Sequence, residues 1–165
     1  MNKKYILALI YFLFITFLAA LVGNFFTVPS IPTWYASLNK PSFSPPNWLF
    51  GPVWTILYVL MAVSAFWVWS SYPKAKDEKE KKKIKTALVI YGVQLVLNAL
   101  WSFIFFGLQN PAWAFFEILI LWILIVVVAW EFYKIIRVAG ILFFLYVLWV
   151  SFAAILNFAI WQLNI

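Results

Sequence analysis

Long, almost purely apolar stretches separated by short polar breaks occupy nearly the whole chain. They run from Tyr5 to Phe26, Val53 to Ser71, Ala87 to Phe106, Ala112 to Tyr133 and Val138 to Trp161. Each is close to the roughly 20 residues needed to cross a hydrocarbon core about 30 Å thick. Backbone polar groups cannot stay unpaired in lipid, so uninterrupted runs of this length predict helices, and the alternating pattern of a barrel strand does not occur. The expected fold is an all-α membrane protein, a single domain over 1–165 in which five transmembrane helices form one bundle. The first stretch follows MNKK like a secretory signal, but it exceeds a typical signal h-region and reads as the first span.

The breaks differ in kind. Gly107 to Pro111 and the region of Lys134 to Arg137 are tight links that favour antiparallel neighbours. Thr27 to Pro52 is long and carries Pro29, Pro32, Pro41, Pro45, Pro46 and Pro52. These prolines forbid one continuous helix but permit a short helical turn around Trp34 to Asn39. With Trp34, Tyr35, Phe43, Trp48 and Phe50 as an apolar underside, the segment is expected to fold as a lid over one mouth of the bundle. Some of these rings also suit an interfacial aromatic belt.

Polar and aromatic positions recur inside the spans at helical spacing. Trp54, Tyr58 and Met61 share a face of the second span; Tyr91, Gln94, Asn98 and Trp101 share one on the third, with Ser102 beside them. On the fifth, Tyr146, Trp149, Ala153 and Asn157 do the same. Amides are costly in hydrocarbon unless partnered, so Gln94, Asn98 and Asn157 should face inward, either joining helices or binding a ligand. Spacing alone favours joining; the large flat rings in these stripes, where close packing would use small residues, favour a cavity for a flat apolar ligand. Small residues at Ala19 and Gly23, and at Ala87, Gly92 and Ala99, are candidate faces for a second protomer.

Composition agrees with the membrane reading: 67% of residues are hydrophobic, 22% aromatic and only 10% charged, far from soluble globular usage. Of the twelve basic residues, all but Lys40 fall on one side of a five-span topology. The positive-inside rule then puts the N-terminus and the Lys74–Lys85 segment in the cytoplasm and the C-terminus outside. The net charge of +7 does not indicate nucleic acid, because KAKDEKEKKKIK is short, interrupted by Asp77, Glu78 and Glu80, and free of interleaved rings. It reads as a solvated topology determinant able to meet anionic lipid.

Candidate chemistry is sparse. Without cysteine or histidine there are no disulfides, thiolates or imidazole ligands. Glu117 is the acidic residue well inside a span, where a buried carboxylate suggests function; a turn or two from the boundary, it has interfacial water within range, which disfavours a proton relay, and Glu131 has Lys134 within reach as a partner. No nucleophile and base constellation, paired carboxylates or phosphate loop occurs, and no metal site is expected.

Three blocks resemble the translocator protein family, also called tryptophan-rich sensory proteins: WYASLNKPSFSPPNWLFGPVWTILY from Trp34, QLVLNALWSFIFFG from Gln94 and YVLWVSFAAILNFAIWQLN from Tyr146. The resemblance covers essentially the full length. It implies a five-helix bundle, commonly dimeric, that binds porphyrins such as protoporphyrin IX and haem, along with sterols and other flat apolar molecules. In some bacterial members it implies light-dependent porphyrin breakdown; the alternative is transport of such molecules across the membrane. Carried onto this chain, the pocket uses Trp54 and Trp149 as ring walls, the pair on which any photodegradation would depend. Tyr58, Asn98, Trp101, Ala153 and Leu156 surround them, and Trp34, Pro41, Pro45 and Trp48 come from the lid. No cofactor is required, porphyrin being the ligand, and a bacterial cell membrane is the expected location.

The chain departs from the family at Leu145 and Phe103, where proline is common, and at Ser42, where tryptophan is common. The absence of Lys or Arg after Arg137 removes the basic residue of a C-terminal sterol pattern. With Met1 and Met61 as the thioethers, iron ligation would fall to Met61, a tyrosine or nothing, so a metal-free porphyrin is the more economical ligand.

Overall fold

The structure, a computed structural model, describes residues 3–165; Met1 lies outside them. The elements are α1 (Lys3–Ser30), α2 (Trp34–Ser37), α3 (Asn47–Ser71), α4 (Glu78–Ser102), α5 (Pro111–Ile135) and α6 (Arg137–Leu163). All but α2 are long and apolar enough to cross a membrane. No strand occurs among the described residues. The chain is an integral, multi-pass five-helix bundle.

Three boundaries differ from the sequence expectation. α1 continues through Pro29 to Ser30, since proline in a last turn costs only a bond near the fraying end. α3 starts at Asn47, not Val53, because Pro52 is close enough to the start that its missing N–H disturbs only the first turn. The lid is therefore 31–46, shorter than the proline count suggested. The lysine-rich segment is helical from Glu78: Asp77 Oδ1 accepts from Glu80 N at 2.8 Å, and Glu80 Oε2 accepts from Lys76 N at 2.8 Å, much as in a capping box. Capping satisfies the free donors of the first turn, and the tertiary packing of Ile84 and Ala87 anchors the turns beyond it.

The helices close in the ring order α1, α3, α6, α5, α4. Met61, Ala62, Ala65, Ile125, Val128 and Phe132 form its fully enclosed centre. α5 and α6 meet across Ile136 alone, with Ile136 N donating to Phe132 O at 2.7 Å. Gly140 permits this: a Cβ there would lie 2.4–2.5 Å from Tyr133 atoms, two of them backbone. Gly23 likewise approaches Ser102, and Ala87 is buried. Both residues, expected at a protomer face, serve packing within the bundle.

α6 runs unbroken through Leu145. At Phe103, however, α4 passes into a π-turn, Phe103–Gly107, closed by Leu108 N donating to Phe103 O at 2.8 Å. Gln109, at φ 52°, completes the reversal. The wider turn brings both Phe105 and Phe106 against the lid.

Candidate functional site

A cavity of about 490 Å³ lies beneath the lid, between α1, α3, α4 and α6. Its walls are aromatic. Trp54 stacks on Tyr58 with centroids 5.5 Å apart, and Trp101 stacks on Phe105 at 5.0 Å. On the far side Trp149 meets Phe50 edge-on at 5.9 Å. The indole N–H of Trp149 is buried and finds no acceptor in the chain.

Polar groups behind the rings join helices. Tyr58 donates to Asn98 Oδ1 at 2.6 Å, and Asn98 Nδ2 donates to Tyr146 at 2.7 Å, linking α3, α4 and α6. One level nearer the lid, Trp101 Nε1 donates to Asn157 Oδ1 at 3.0 Å, and Asn157 Nδ2 to the Pro111 carbonyl at 2.8 Å. Asn98 and Asn157 thus join helices, the first of the two roles their spacing left open, and both also border the cavity. Gln94, fully buried, has no partner. Glu117 does not reach water. It is 7% exposed with both carboxyl oxygens unpartnered, because it shares a face of α5 with Ala114, Ile118 and Leu121, turned into the bundle. Glu131 does pair with Lys134, at 2.8 Å.

The lid is held from several directions. Trp34 and Tyr35 pack on Phe105 and Phe106, and Phe43 packs on Phe152. Asn39 N donates to Asn164 Oδ1 at 2.9 Å, while Asn164 Nδ2 donates back to the Asn39 carbonyl at 2.9 Å. Lys40 sits 4.7 Å from the Tyr35 ring centroid. Burial pushes the Tyr35 hydroxyl above its ordinary value, so it remains neutral at physiological pH.

Of the residues singled out from the sequence, Trp48, Trp54, Tyr58, Asn98, Trp101, Trp149, Ala153 and Leu156 line the cavity. Trp34, Pro41 and Pro45 do not: Trp34 packs edge-on against Phe105 and Phe106 outside the lining, and Pro41 begins the turn closed by Ser44 N to Pro41 O at 3.0 Å. Met61, wholly enclosed in the core, is also absent from the lining, which leaves its sulfur no access to a ligand there. The wall supplied by α1, with Phe17, Ala20, Asn24 and Thr27, was not anticipated. Its signal was the spacing of Ala20, Asn24 and Thr27 along one face, hidden in a span that is apolar all round.

The TspO/MBR family pattern matches residues 12–162. The chain is similar to tryptophan-rich protein TspO of Chlorobaculum tepidum, 38% identical over 164 residues and 99% of each chain. It is 42% identical to the TspO of Archaeoglobus fulgidus over 142 residues, 86% of this chain and 87% of the other. With human translocator protein it shares 34% identity over 149 residues, 89% of this chain and 84% of the relative.

Proposed function

The chain belongs to the TspO/MBR family, membrane proteins of the sensor and translocator type, and from that premise we propose that its cavity binds a metal-free porphyrin such as protoporphyrin IX. The observation that carries this reading is the pairing of Trp54 and Trp149 around one ring-walled space. Its volume of about 490 Å³ lies inside the roughly 300–1,000 Å³ range of small-molecule pockets. Flat rings offer a flat ligand large contact at little conformational cost. The unpartnered Trp149 N–H supplies one directional contact, to a carbonyl or ring nitrogen of the ligand. Stacking is favoured over ligation: Met61 is out of reach, the chain has no histidine or cysteine, and of the tyrosines in the wall Tyr58 gives its hydroxyl proton to Asn98 while burial keeps Tyr35 a neutral phenol.

The lysine-rich end faces the cytoplasm and the lid faces outward, by the positive-inside rule. Homodimerisation, implied by the family resemblance, is tested by light scattering on the detergent-purified protein.

The function is tested by titrating protoporphyrin IX in the dark and following Trp fluorescence. Saturable quenching that Trp54→Phe and Trp149→Phe both weaken is the expected result; unsaturable quenching, or quenching untouched by both substitutions, refutes the site. Illumination of the complex then separates a binder from a photodegrading enzyme, by whether the porphyrin absorbance falls faster than with the double variant.

A further inference from the structure

The lining of the cavity is exposed on one side only. Leu21, Asn24 and Val28 on α1, and Trp48, Gly51 and Thr55 on α3, border the cavity and are exposed, whereas every lining residue of α4, α6 and the lid is buried or half-buried. These two sets lie in the last turns of α1 and the first turns of α3, next to the lid. The ring contacts between the two helices lie further from the lid, at Tyr5–Trp69, Phe12–Trp69 and Phe17–Tyr58. A Cβ added at Gly51 would meet nothing within 4 Å. The lid, by contrast, is closed by rings and by the reciprocal Asn39–Asn164 bonds.

We propose that the ligand enters and leaves sideways, through a window between α1 and α3 that faces the hydrocarbon of the lid-side leaflet, while the lid stays shut. This rests on the porphyrin reading and adds the route and the physical state of the ligand. The ligand is drawn from the bilayer, not from water. A flat apolar molecule with one polar edge partitions into a leaflet, and its body slides between the helices while the edge stays at the interface near Asn24 and Thr55. No aqueous gap has to open, so no buried backbone of the lid need lose its partners.

The test uses stopped-flow Trp quenching by protoporphyrin IX in proteoliposomes of phosphatidylcholine. Gly51→Phe and Asn24→Phe narrow the window from opposite rims, and Asn164→Ala releases the lid. The window variants are expected to slow association and dissociation by about tenfold or more; because both positions also border the cavity, the rates and not Kd are the readout, while Asn164→Ala leaves both rates as they are. A side chain that only crowds the ligand quickens its dissociation, so dissociation slowed in step with association marks the window, and quickened dissociation in both variants counts against it. Wild-type rates in both window variants, or faster association and dissociation in Asn164→Ala, overturn the proposal. Failure of the wild-type protein to quench saturably overturns the porphyrin reading instead, and is seen before any variant is made.

Discussion

Replacing Asn98 by leucine tests whether the Tyr58–Asn98–Tyr146 chain holds three helices together. Leucine is of similar size, so the perturbation is loss of polarity more than loss of volume. It leaves the Tyr58 hydroxyl without its acceptor at 2.6 Å and the Tyr146 oxygen without its donor at 2.7 Å. An unpaired buried polar group costs about 1–3 kcal/mol. Interhelical hydrogen bonds in membranes average only about 0.6 kcal/mol, because helices unfolded within the bilayer find other partners. Tyr58 borders the cavity and can turn towards it; Tyr146, 1% exposed, cannot. The expected destabilisation is therefore about 2 kcal/mol, set mainly by Tyr146. Unfolding by SDS titration, followed by far-UV circular dichroism in detergent, measures it. The triple variant Tyr58→Phe, Asn98→Leu, Tyr146→Phe removes every member and should recover to within about 1 kcal/mol of the wild type. An Asn98→Leu protein of unchanged stability, or a triple variant weaker than the single one, refutes the reasoning.

Gly140→Ala should destabilise by about 3 kcal/mol or more in the same assay, because its Cβ meets Tyr133 at 2.4–2.5 Å and the backbone atoms there have nowhere to move. Trp122→Phe removes the 2.8 Å bond to Ser151 between α5 and α6 and should cost about 1 kcal/mol, with the fluorescence response to porphyrin retained because Trp122 is not in the cavity wall. Asp77→Ala removes the cap of α4 and should cost about 1 kcal/mol; hydrogen exchange should quicken in the first turn of α4 and not at Asn98.

Much of this fold was legible because hydrocarbon admits so few solutions. Once a run is long and apolar it must be helical, and the basic residues then identify which breaks share an end. Boundaries were less legible, since Pro29 and Pro52 look like stops in sequence but sit where a helix needs no interior N–H. In the site, Trp54, Asn98 and Trp149 were readable because polar or flat residues stand out on an apolar helix. The α1 wall was not, because Ala20 and Thr27 look unremarkable until Gly23 brings that helix close to Ser102. Glu117 lies near the end of its span by position along the axis, but its rotation about the axis turns it into the bundle. The π-turn had no signature beyond an unusual run of phenylalanines.

Four cation and ring pairs sit at one end of the bundle: Lys4 with Trp69, Lys85 with Tyr72, Lys134 with Trp130 and Arg137 with Tyr133. The lid end has the Lys40–Tyr35 pair. Such pairs favour the headgroup layer and fix depth. By this count the bundle is moored more heavily at one surface, with four such pairs against one. A thicker or thinner bilayer shifts its boundary past the lid end, where α1 and α3 part, so membrane thickness becomes a control on how far that gap is immersed.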